Sequence, residues 1–236
     1  MKSMRVKAVI FDLDGTLASF NLDYKTVRAE VKGYLVKRGV PASVVSVKES
    51  IFEMLRKTEI FARNSGKPAK FLEEVRGEAL AMAEKYELEA AMGTSLLPGA
   101  VETLKALRRM SLKIGLCTIN SEKSVNYILT RFGIADFFDV TVPRNKVNHF
   151  KPHPEHIEAA LKTLGASAND TVIVGDSIVD MQSAKELKAI AVGLPTGVST
   201  MEQLMRNGAN YIITSIIDLP LLIEKINKGS NSEEKK

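Results

Sequence analysis

This chain has almost nothing that could tie it together covalently or anchor it to a larger structure. Cys117 is its single cysteine, which excludes an internal disulfide and suits a reducing compartment. Tryptophan is absent and aromatic residues make up 6%. No basic block is interleaved with aromatics, so a stacking platform for nucleic acid finds no support. No apolar stretch is long enough to span a bilayer. The N-terminal apolar run is short and interrupted by Asp12, which does not fit a signal peptide. The expectation is a soluble, cytoplasmic protein that binds neither membrane nor nucleic acid. What is present is ordinary globular material, 45% hydrophobic and 26% charged over 236 residues, enough to bury a real core. The net charge of +5 is scattered along helices. Such a mild positive field suits a small anionic substrate better than a polymer.

Three blocks follow one another along the chain. From Asp23 to about Leu88 the apolar period is helical. Val27, Val31, Tyr34 and Leu35 form one stripe, Val44, Val47, Ile51, Met54 and Leu55 a second, and Phe71, Leu72, Val75, Ala79 and Met82 a third. Gly39-Val40-Pro41 and the segment Asn64 to Pro68 punctuate them. After Leu96-Leu97-Pro98-Gly99, helices alternate with short apolar runs at Lys113–Cys117, Asp139–Val142, Thr171–Val174, Ile190–Val192 and Tyr211–Ile213. That alternation predicts a parallel sheet covered on both faces. The expected organisation is an α/β core from residues 1–19 and 96–228, with a helical block at 20–95 inserted after strand one. Residues 229–236 read as a disordered polar tail.

Chemistry concentrates at the ends of the apolar runs. Val6 to Ile10 empties into Phe11-Asp12-Leu13-Asp14-Gly15-Thr16. Alternation sends Asp12 and Leu13 to opposite sides, and Gly15 permits a tight turn that can swing Asp14 back towards Asp12. Two carboxylates held that close call for a cation or a shared proton. The run ending at Cys117 delivers Thr118, then Asn120 and Ser121. The connection after Val142 carries Lys151-Pro152-His153-Pro154, and Val174 leads into Gly175-Asp176-Ser177-Ile178-Val179-Asp180. Taken singly, these are helix caps, a solvated lysine and a turn. Taken together they fall on the carboxyl edge of the predicted sheet, where open α/β sheets bind ligands.

In that order the residues resemble the four motifs of the haloacid-dehalogenase superfamily, phosphatase type, with a helical cap inserted after the first motif. Asp12-Leu13-Asp14-Gly15-Thr16 matches the first, Thr118 the second, Lys151-Pro152 the third, and Gly175-Asp176 with Asp180 the fourth. The resemblance implies a doubly wound, Rossmann-like sheet of order 3-2-1-4-5. It implies an Mg²⁺-dependent phosphomonoester hydrolase working through an aspartyl-phosphate on Asp12, with Asp14 as general acid and base. Mg²⁺ would be held by Asp12, the Asp14 carbonyl and Asp176, and the phosphoryl group by Thr118, Lys151 and Asn120. Asp180 would partner metal-bound water. The helical block would close as a lid, with Arg28, Arg56, Arg63 and Lys67 offered to a second anionic group on a small phosphorylated metabolite. Relatives with this kind of cap include phosphoglycolate phosphatases. A sugar-phosphate mutase built on the same core is the rival enzyme, and a phospho-aspartate switch module the rival from another class. Oligomeric state is not legible.

Overall fold

The computed structural model describes residues 5–19 and 22–232. Six short strands, β1 (Ala8–Phe11), β2 (Lys113–Thr118), β3 (Val140–Pro143), β4 (Thr171–Gly175), β5 (Ile190–Gly193) and β6 (Tyr211–Ile212), pair in parallel in the order β3-β2-β1-β4-β5-β6. The expected order 3-2-1-4-5 is present, and β6 extends it at one edge. Ala8, Ile10, Ile173 and Ala191 are buried in one cluster with Ile157, Leu161, Met181 and Ala184. Alternate residues Val9, Phe11, Ile114, Leu116, Val172 and Val174 are equally buried. A sheet covered on both faces is why its strands read as continuous apolar runs.

The chain divides into two compact units. One comprises the segments up to Phe20 and from Thr94, and the other is Asn21–Gly93. The second unit holds α1 (Tyr24–Lys37), α2 (Ile51–Asn64) and α3 (Ala69–Gly93) around a core of Val27, Val31, Leu35, Met54, Leu55, Val75, Ala79 and Ala83. Two of its predicted apolar positions move. Val44 and Val47 lie in turns ahead of α2, and Val47 is exposed while Val45 is buried. The Ser50 hydroxyl accepts the Glu53 N–H and caps α2 there, so the helix cannot reach back to Val44.

In the first unit follow α4 (Ala100–Arg109), α5 (Glu122–Arg131), α6 (Glu155–Leu164), α7 (Ile178–Glu186), α8 (Met201–Arg206) and α9 (Leu219–Ser232). Helix α9 carries on to Ser232, so residues 229–232, expected as disordered tail, continue a helix. Residues 233–236 lie outside the described residues, as do Phe20 and Asn21 at the start of the expected helical block. Where the chain leaves and re-enters this unit, the two segments pair. The Ser19 N–H donates to the Ser95 carbonyl (2.8 Å) and the Thr94 hydroxyl to the Ser19 carbonyl (2.9 Å). Among the described residues no helix is long and apolar enough to cross a membrane.

Register brings the polar strand ends level with one another. Phe11 pairs with Leu116 on one side and Val174 on the other. The next N–H, that of Asp12, donates to the Val174 carbonyl (2.9 Å). Asp12, Thr118 and Asp176 therefore emerge together at the carboxyl edge of the three central strands, where the strand order reverses.

Candidate active site

At that edge the chain turns sharply after β1. Gly15 sits at φ 73°, and its N–H donates to the Ala18 carbonyl (2.7 Å). A Cβ there would lie 2.7 Å from the Asp176 carboxyl carbon. Glycine is thus required twice, by the left-handed backbone and by the close approach. The turn presents Asp12 and Asp14 to different partners. Asp12 Oδ1 accepts the Lys151 ammonium at 2.7 Å, and the same ammonium reaches Asp180 Oδ1 at 2.6 Å. Asp14 Oδ2 accepts the side-chain amide of Asn120 at 2.8 Å. One oxygen of the Asp14 carboxylate thus goes to Asn120, and the Asn120 amide is oriented by Asp14.

Asp180 is the third residue of α7 and closes a capping box with Ser177. Its Oδ2 accepts both the hydroxyl and the N–H of Ser177, while Oδ1 takes Lys151. Its side chain is 1% exposed, so it fixes the lysine and the helix start from within the protein. Thr118 is buried at the end of β2, and its hydroxyl oxygen accepts the Asn120 N–H (3.2 Å), which leaves the O–H to donate.

Asp176 is held by a segment that sequence patterning did not single out. Its Oδ2 accepts the Val198 N–H at 2.7 Å. A Cβ on Gly197 would sit 1.9 Å from that oxygen, and the Thr196 hydroxyl donates to the Gly15 carbonyl. The loop after β5 thereby clamps the β1 turn and Asp176 together. Pro195-Thr196-Gly197 follows an apolar run on the same sheet edge, so the rule that located the other clusters would have found it.

One oxygen from each of Asp12, Asp176 and Asp180 can lie within 4.8 Å of the others. The Lys151 ammonium bonds Asp12 and Asp180 of this trio, so three carboxylates gather around one lysine. Burial drives the Asp12 carboxyl well above its usual range, Lys151 opposes that, and Asp180 and Asp176 reinforce it. Burial, then Asp180, push Asp176 up to about 7. Burial alone would lower the Lys151 ammonium, but Asp12 and Asp180 hold it above its ordinary value. An oxygen-lined cluster that is short of positive charge fits a small, hard dication.

The sequence profile of the haloacid dehalogenase-like hydrolases matches residues 6–188. The chain belongs to that family. The match spans Asp12, Asp14, Thr118, Asn120, Lys151, Asp176 and Asp180, whereas the Thr196–Val198 clamp lies beyond it. Pyrophosphatase PpaX of Listeria innocua is 25% identical over 221 residues, covering 93% of this chain and 97% of that protein. Phosphoglycolate phosphatase of Salmonella paratyphi A is 28% identical over 234 residues, covering 92% of each. The crystal structure of a hydrolase from Pseudomonas syringae superposes with a TM-score of 0.66 at 26% identity, over 93% of this chain and 99% of that one.

Proposed function

We propose that this haloacid dehalogenase-like hydrolase is an Mg²⁺-dependent phosphatase of small phosphorylated metabolites that works through an aspartyl-phosphate on Asp12. The observation that carries the reading is the pairing of Asp12 Oδ1 with a buried lysine that Asp180 also grips. That arrangement fixes the carboxylate beside a positive charge and leaves Oδ2 for chemistry. Asp12 would attack phosphorus, forming a P–O bond as the bond to the leaving oxygen breaks. Asp14, oriented by Asn120, would give its proton to that oxygen and then take one from the water that hydrolyses the acyl-phosphate. The Thr118 hydroxyl and Lys151 would hold the phosphoryl oxygens. Asp12, Asp176 and the Asp14 carbonyl are the residues that would hold Mg²⁺, which when bound offsets the repulsion between carboxylate and phosphate. In this reading the helical unit, Asn21–Gly93, is the inserted cap that selects the substrate.

The choice of first substrate rests on the named relatives and not on the cap cations. Arg56 and Arg63 pair with Glu53 and Glu59 of their own helix. Arg28 and Lys67 lie over the rings of Tyr24 and Phe71. All four have local partners, as a solvated helix face would provide. Phosphoglycolate, a sugar phosphate and pyrophosphate are therefore the substrates to compare. Phosphate release should require Mg²⁺, should need no bisphosphate activator, and should vanish in Asp12→Asn while Mg²⁺ binding persists. Full turnover in excess chelator would remove the metal from the mechanism, and turnover by Asp12→Asn would remove the covalent route.

A further inference from the structure

Lys151 stands in an irregular segment between β3 and α6, so no strand or helix ladder fixes its main chain. Its N–H instead donates to Nδ1 of His156 at 3.1 Å. His156 lies in the first turn of α6, has no exposed surface, and uses Nε2 on the Val142 carbonyl of β3 at 2.7 Å. These two bonds define the imidazole. A carbonyl can only accept, so Nε2 carries the hydrogen; a main-chain N–H can only donate, so Nδ1 keeps its lone pair. The ring is the neutral Nε2–H tautomer, wedged between the edge strand β3 and the main chain of Lys151.

We infer that His156 is a positioning residue for Lys151, a neutral imidazole that ties the lysine main chain to β3 so that its ammonium reaches Asp12 and Asp180 together. A proton on Nδ1 would set N–H against N–H and would put a second cation near the Lys151 ammonium. Burial and then Lys151 push His156 down to about 4, against the bond to the Val142 carbonyl and the charges of Asp180 and Glu155, which act the other way. Cys117 donates its thiol to the His156 carbonyl (3.6 Å) and is itself pushed up to about 12 by burial. The surroundings thus keep the ring neutral throughout the physiological range, and it acts by hydrogen bonding. The catalytic consequence rests on the phosphatase reading above, whereas the positioning itself does not.

Two near-isosteres separate the bonds. The oxygen of Asn occupies the place of Nδ1 and can accept from Lys151; the amide of Gln occupies the place of Nε2 and can donate only to Val142. His156→Leu should lower kcat/KM roughly 10–100-fold, the range typical of losing the partner that orients a site residue. His156→Asn should recover most of that loss, and His156→Gln should remain near His156→Leu. If Gln rescued and Asn did not, the link to Lys151 would be wrong. Two NMR readouts need no turnover. The His156 ring should hold the neutral Nε2–H tautomer from pH 5.5 to 8. The Lys151 amide should exchange slowly in the wild type and His156→Asn, and fast in His156→Gln. Titration of His156 near 6.5, or an unprotected Lys151 amide in the wild type, would overturn the inference even in an active enzyme. An enzyme inert towards phosphate esters that passed both tests would overturn only the phosphatase reading.

Discussion

At the scale of single residues, two carboxylates that stand two positions apart in sequence take different side-chain partners. Asp12 is joined to a buried ammonium, and Asp14 to the neutral amide of Asn120. In the proposed mechanism Asp14 is the group that gives the leaving oxygen its proton. Asp14→Asn should therefore cost about 10²–10⁴-fold on an alkyl phosphate and markedly less on an aryl phosphate, whose leaving group needs no proton. Equal losses on both would argue against the acid role. Gly197 offers a second test. Its missing Cβ makes room for Asp176 Oδ2, so Gly197→Ala should weaken Mg²⁺ binding in calorimetry while leaving the far-UV spectrum unchanged. Unaltered affinity would mean that the loop yields to the methyl group.

These residues also show where sequence reading stops. Asp12, Thr118 and Asp176 could be placed because each follows an apolar run, and a parallel sheet aligns the ends of such runs. His156 could not, since nothing in its spacing from Lys151 or Val142 announces that one ring bonds both. Nor does the position of Asn120 near Thr118 announce that its side-chain amide donates to Asp14. Contacts of this kind depend on how turns pack after the sheet has formed. A pattern of apolar residues carries no information about them.

At the scale of elements, the strands were legible to within a residue or two, because burial on both faces leaves few polar residues to blur them. Helix starts were less so. The run from Val44 to Leu55 has a helical period, yet the cap at Ser50 divides it, and capping is a local hydrogen bond that periodicity does not see. Helix α3 carries a different kind of signal. Gly77 lies in its interior, exposed, with helical backbone and nothing within 4 Å of where a Cβ would be. A glycine with no tertiary reason to be there lowers stability through the freedom it gives the unfolded chain. Gly77→Ala should raise the unfolding free energy by roughly 0.5–1 kcal/mol, seen as a higher urea midpoint. No change, or a loss, would indicate that this face of α3 has a partner that alanine disturbs.

At the scale of the whole molecule, the buried carboxyls of the site make stability depend on pH. Asp176 keeps its proton up to about pH 7 in the folded state, against an ordinary value of 3.8. Between those values the folded protein binds more protons than the unfolded chain, so this group's contribution to stability falls as pH rises towards 7. His156 acts in the opposite sense. Unfolded, it takes up a proton near 6.5, and folded only near 4, so its contribution rises with pH across that interval. The two partly cancel in a metal-free melting curve, but the gain in Tm on adding millimolar Mg²⁺ removes the histidine from the comparison. That gain should be small at pH 5 and grow as the pH passes 7, because the metal requires ionised carboxylates and burial raises both Asp176 and Asp12. Asp176→Asn should abolish most of the gain. It should also raise the Tm of the metal-free protein at pH 8, since an amide can still accept the Val198 N–H without burying a charge. A metal-free variant that melted below the wild type at pH 8 would show that Asp176 stabilises the fold by its own hydrogen bond and is not strained by the lack of a cation.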